Sequence, residues 1–290
     1  MNVVASPAAP GAAAPRPARR LRDRAWRLPT LVIGTSIVAL FLVVAAFAPL
    51  IATTGANATD PYHVLQGSSS QHLLGTDLIG HDIFSRIVFA TRTDLKVGFL
   101  AVVTPFLTGT LLGLVTGYYG GWLDSNEMRI VEVVVAFPFY ILVVALDFAL
   151  GAGTRGVYIA VAAVGWVAYC RVIRAETLVV RRREYVLAAR AAGLGDARVI
   201  LRHVLPNVIS QAIVYVMSDI VLVLLLVVTL GFFGLGVQPP TPDWGVMISD
   251  AQISLSTHWG PAIYPGLALA LLALGLSLVG DGLADLLRPE

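Results

Sequence analysis

Two aspartates, Asp147 and Asp219, sit inside long apolar stretches of this chain. A carboxylate at membrane depth costs at least about 3 kcal/mol unless it is paired or wet, so such residues ask for an explanation. Two readings are open: they line a translocation path and meet a substrate amine or cation, or they pair with a neighbouring helix or a second membrane subunit. Glu132, near a helix end, reads as structural. Asp82 and Arg86, four residues apart, fit an i, i+4 ion pair on a short helix along the outer surface. Catalytic signatures are missing. Lys96 is the only lysine and follows Leu95, so no Gly-Lys-Ser/Thr phosphate loop exists. The histidines at 63, 72, 81, 203 and 258 show neither i, i+4 pairing nor cysteine company, and no metal site is expected from them. There is no G-x-S-x-G elbow, and the single Cys170 forms no internal disulfide. The chain is therefore expected to hold no catalytic residue and no cofactor of its own, and no feature suggests nucleic acid.

The elements that would position these residues are membrane helices. The chain is 57% hydrophobic and only 13% charged, where soluble domains carry about a quarter charged residues. Crossing a ~30 Å hydrocarbon core takes about 20 helical residues. Six windows meet that length, at 29–52, 95–117, 130–150, 156–173, 208–235 and 262–281, the fourth being short and interrupted at Gly165 and Trp166. Residues 1–28, with "SPAAPGAAAPRPARR", read as a disordered cytosolic tail, and 29–290 as one all-α transmembrane domain. The apolar run after the tail is too long for a signal-peptide core of about 7–15 residues and is expected to be retained. With both termini in the cytosol, 16 of the 19 arginines lie on the cytosolic side, as the positive-inside rule requires. The segments 53–94 and 236–261 then face outward, with Trp244 and Trp259 suited to the membrane interface, and 174–206 forms a cytosolic loop.

That loop contains "EYVLAARAAGLGDARVILRHVLPN" at 184–207. Helix formers from Glu184 to Ala192, a permissive Gly193, and Asp196 as the cap of a second short helix to about His203 predict a helix-turn-helix, with Pro206 at the entrance to the fifth span. Ala188, Ala189, Ala191 and Ala192 leave little bulk against a partner, and Arg190, Arg198 and Arg202 surround them with charge. This is the profile of a docking element; the plainer reading is a basic loop binding anionic lipid.

The spacing of Ala188, Ala189, Gly193, Leu205 and Pro206 resembles the EAA motif of bacterial ABC-importer permeases, with Leu187 at the usual acidic position and His203 where Ile is usual. "LGTDLIGHDIFSR", "GYYGGWLD", "AFP", "RHVLPN", "FFGLGVQPPTPDWG" and "GDGLADLL" extend the likeness along nearly the whole chain. Together they resemble the C-type permease subunit of dipeptide, oligopeptide and nickel ABC importers. The departures are His81 for Arg, Ala90 for Gly, and Ala284 and Arg288 near the C-terminus. The resemblance implies six transmembrane helices of the type I ABC importer permease fold in a bacterial inner membrane. It also implies a heterodimer with a homologous B-type permease, two cytosolic ATPase subunits that hold the ATP and Mg²⁺, and an extracytoplasmic substrate-binding protein. The stretch would be the coupling helix, with Glu184, Leu187, Ala188, Ala189, Arg190, Gly193, Asp196, Arg198, His203 and Pro206 at the ATPase contact. The alternatives are an ion- or proton-coupled carrier working alone, for which internal repeats and broken helices are expected, and a membrane scaffold without transport.

Overall fold

The computed structural model describes residues 29–287 and is all-helical, with isolated bridges but no strand among those residues. The expected tail at 1–28, and Arg288, lie outside them. The helices are α1 (Pro29–Ala46), α2 (Ala48–Ile51), α3 (Ile83–Tyr119), α4 (Gly121–Val135), α5 (Phe139–Leu150), α6 (Thr154–Val180), α7 (Glu184–Ala191), α8 (Asp196–Val199), α9 (Leu205–Phe232), α10 (Trp244–Ala251) and α11 (Gly260–Leu287). Five helices or helix runs are long and apolar enough to cross a membrane, and a sixth span results if α4 and α5 count as one.

Four boundaries differ from the sequence reading, each for a physical reason. The second span is the middle of a 37-residue helix that begins at Ile83. At about 1.5 Å per residue α3 measures about 55 Å, well beyond the hydrocarbon core, so its charged first turns project out of the apolar layer. The third span is not continuous: α4 and α5 meet at 86° around Ala136–Pro138, because Pro138 has no N–H to donate and disfavours helical backbone at Phe137. The fourth span is not interrupted at Gly165. That glycine lets α6 close on Pro105 of α3, where a Cβ would lie 3.1 Å from Pro105 Cγ. α6 runs on to Val180, so the loop starts at 181, not 174. Finally, α8 is not a separate second helix: a π-turn at Ile200–Val204 joins it to α9.

Packing between the two central helices rests on a stripe of small residues. A Cβ at Gly109, Gly113 or Gly117 of α3 would come within 2.3, 2.4 or 2.7 Å of Trp166 O, Cys170 O and Thr177 Cβ on α6. Only glycines spaced by four allow this approach, which in a bilayer supplies the dispersion contact that lipid tails cannot improve on.

Between α2 and α3, residues 53–82 form a loop cap. Thr59 bridges to His81 and Thr76 to Asp82. Asp82 is not paired with Arg86 as the i, i+4 spacing suggested. It is the N-cap of α3, accepting from Ser85 N at 2.8 Å and from Thr53 Oγ1 at 3.0 Å, and a side chain folded back over the helix start cannot reach the next turn. Arg86 instead donates to Asp77 Oδ2 at 3.2 Å and to His81 Nδ1. Trp244 is not interfacial either. It is fully buried, edge-on to Phe41, while Trp259 is exposed. The start of α10 rests on two buried carboxylates: Asp243 caps Val246 N at 2.9 Å, and Asp94 of α3 accepts from Trp244 N at 3.2 Å. Burial raises the Asp243 carboxyl above its usual range, against the bond it receives from Val246.

Candidate functional site

At the end of α3 opposite the cap, the chain builds a rigid exposed platform. α7 ends in a Schellman turn. Gly193 has φ +81°, its N–H reaches Arg190 O at 3.0 Å, and Leu194 N reaches Ala189 O at 3.2 Å. These bonds satisfy carbonyls that a helix end leaves orphaned. Val186 and Ala189 face inward and join a cluster with Leu114, Ile173, Val199 and Val204, against which Leu194 packs.

Contacts made by Arg181, Asp196 and Arg190 fasten this platform to the end of α3. Arg181 Nη1 donates to Gly117 O at 3.0 Å and Tyr118 O at 2.9 Å, capping the C-terminus of α3 where the dipole favours a cation. Tyr118 Oη donates to Asp196 Oδ1 at 2.8 Å, and Arg190 lies over the Tyr118 ring, 5.8 Å from its centre. Beside the platform, Arg174 of α6 forks onto Asp124 and ties α6 to α4, with Nη2–Oδ2 at 2.7 Å.

Of the residues expected at a docking surface, Glu184, Leu187, Ala188, Arg190, Gly193, Asp196, Arg198 and Pro206 are exposed. Ala189 is buried, and His203 is half-buried. Asp196 is the first residue of α8 and bonds Tyr118; Gly195 occupies the cap position. Tyr185 joins Leu187 as a large exposed apolar side chain beside Ala188, Ala191 and Ala192. Tyr118, Asp124 and Arg174 were not singled out from sequence. Their partners lie 50 to 78 positions away, beyond any local spacing rule.

The two intramembrane aspartates separate. Asp219 accepts from Tyr169 Oη at 2.7 Å and lines a cavity of about 490 Å³ at the α4–α5 bend, with Phe137, Tyr140, Arg171 and Tyr215 on its walls. Asp147 is placed differently. It is fully buried, without a hydrogen-bond partner among the described residues, against Gly156 in the first turn of α6; a Cβ there would lie 2.2 Å from Asp147 Oδ1. At that position the N-terminal end of the α6 dipole favours a negative charge. The structure also gathers Asp60, His63 and His72 in the cap, a group that spacing alone did not reveal.

The family model described as "Binding-protein-dependent transport system inner membrane component" matches residues 109–290. The chain belongs to this permease family. The permease is 38% identical over 259 residues to the dipeptide transport system permease protein DppC of Alkalihalophilus pseudofirmus, covering 89% of this chain and 85% of that protein. It is 38% identical over 275 residues to the glutathione transport system permease protein GsiD of Pectobacterium atrosepticum, covering 94% and 91%. The GsiD protein of Escherichia coli O1:K1 is 41% identical over 254 residues, covering 87% and 84%. As a member of this family, the permease is a multi-pass, non-catalytic membrane subunit of an ABC importer.

Proposed function

We propose that the permease moves peptides or closely related small solutes, as one half of a heterodimer with a homologous B-type permease. Its substrates arrive from an extracytoplasmic binding protein, and two cytosolic ATPase subunits holding ATP and Mg²⁺ drive the cycle. In this reading the α7 platform and both termini face the cytosol, and Asp219 lies on the translocation path, where a carboxylate can meet a peptide ammonium. The solitary-carrier alternative gives way to the family membership. Peptide transport draws support from relatives named for dipeptide and glutathione, both amide-linked solutes with charged termini.

The observation that carries the ATPase contact is the exposed Tyr185–Leu187–Ala188 surface on a helix fastened to α3. An apolar exposed patch on a rigid mount suits a protein groove better than a headgroup layer. The test compares Ala188→Trp, which adds bulk to that surface without entering the core, with Arg182→Gln/Arg183→Gln, which removes exposed charge. Arg181 is left intact because it caps α3. Ala188→Trp should retain the B-type partner while losing ATPase co-purification and substrate-stimulated hydrolysis, and the double Arg variant should keep both. Normal coupling in Ala188→Trp with loss in the Arg variant would establish the lipid-binding reading instead.

A further inference from the structure

We propose that Asp60, His63 and His72 form a binding site for a divalent transition-metal ion of the zinc type, in the cap at the far end of α3 from the α7 platform. Each residue offers one ligand atom, and the three atoms lie within 4.8 Å of one another. His63 Nδ1 is 2.7 Å from Asp60 Oδ2, and the His63 and His72 rings are 6.2 Å apart between centres. Tetrahedral bonds of about 2.0 Å place ligand atoms about 3.3 Å apart, so side-chain rotation is enough to close the group around an ion.

The surroundings are built as a metal site requires. His72 Nδ1 lies 3.0 Å from Asp82 Oδ1. With Nδ1 directed at that carboxylate, His72 leaves Nε2 as its ligand atom. A carboxylate behind a histidine fixes both tautomer and ring orientation in this way.

The backbone that carries the ligands is pinned. Asp60 N donates to Gly80 O at 3.0 Å, His63 O accepts from Thr76 Oγ1, and His72 N donates to Ser69 Oγ at 3.0 Å. His63 and Asp60 are open to solvent on one side, with side chains 42% and 39% exposed, which leaves a way in and room for a water as fourth ligand. Two imidazoles and one carboxylate suit Zn²⁺ and its neighbours over Ca²⁺ or Mg²⁺, which take oxygen ligands. Bound metal would cross-link the 60–63 turn to the 72–82 turn and stiffen the cap.

The test uses the full chain in detergent micelles, purified without a polyhistidine tag, stripped with a chelator and titrated with Zn²⁺ or Co²⁺. One equivalent should bind, Co²⁺ should give the visible bands of a four-coordinate site, and Zn²⁺ should raise the thermal midpoint. His63→Ala and Asp60→Asn should each weaken binding by about tenfold or more, with an unshifted metal-free midpoint showing that the fold is intact. His258→Ala, at an exposed histidine elsewhere, should change nothing. Lack of saturable binding by the parent chain, or binding kept in His63→Ala and lost in His258→Ala, would overturn the site.

Discussion

Gly193 offers a clean perturbation, because its cost can be worked from a single cause. Its φ is +81° and no heavy atom lies within 4 Å of a Cβ built there, so a substitution meets backbone strain and no clash. Holding an L-residue in that region costs about 1–2 kcal/mol. Valine should sit at or above the upper end because branching at Cβ crowds the backbone, and asparagine should cost least because it tolerates this conformation. If the strain falls on the native turn, local opening of 184–195 becomes about 5–30 times more populated. Hydrogen exchange measured on the permease in nanodiscs reads that population. Amides of Ala192, Gly193 and Leu194 should exchange faster by this factor in Gly193→Val, less so in Gly193→Ala, and near the parent rate in Gly193→Asn. Gly195→Ala is the control: it has φ −66° and open space, so it should be silent. Equal exchange in Gly193→Val and the parent, or an equal effect at Gly195, would refute the strain argument and with it the rigid turn.

Asp219→Asn should leave assembly with the partner permease intact and lower solute uptake in proteoliposomes, whereas Tyr169→Phe should have a smaller effect; normal uptake in Asp219→Asn would assign the residue to structure. The Asp243 carboxyl, raised by burial beside Asp94, shares with it a proton that the unfolded chain releases above about pH 4. Stability at the α10 contact should therefore fall as pH rises from about 4 through the raised value, and Asp243→Asn, which still caps Val246, should flatten the dependence of thermal midpoint on pH. Single cysteines on a Cys170→Ser background should react with impermeant reagent from outside at position 68 and stay protected at 196; the reverse pattern would invert the orientation. Gly113→Leu, whose Cβ alone would come 2.4 Å from Cys170 O, should force α3 and α6 apart and reduce the yield of folded protein far more than Gly266→Leu, where the space is open.

Apolar length made the spans legible, and charge made the loop legible, but both signals are local. Phe137, Phe139 and Ile141 are as apolar as a continuous span would be, so the bend was visible only in the lone Pro138. Arg171 and Arg174 looked like the end of the fourth span, yet α6 continues to Val180, with Arg174 held by Asp124, fifty residues earlier. The α3–α6 stripe was written in the sequence as glycines at 109, 113 and 117, and small-x-x-x-small spacing would have found it. At the platform, the motif spacing found Gly193 and the exposed alanines. It could not show that Ala189 turns inward or that Asp196 is held by Tyr118, since those depend on where α3 ends. The Asp60–His63–His72 group is assembled by loop bridges that follow no period.

The π-turn at Ile200–Val204 has a geometric consequence for the loop it joins to α9. A wider turn accommodates about one residue more than an α-turn, and one residue is about 100° of rotation. That offset lets Val199 and Ile200 share an inward face with Val204 and Val208, all of them buried, while the α7 surface points away from the helices. The segment therefore works as an angular spacer. Its register, more than the identity of any one of its side chains, sets the bearing on which Leu187 and Ala188 look out. A chain one residue shorter here would keep every motif letter and aim the platform about a quarter-turn wrong.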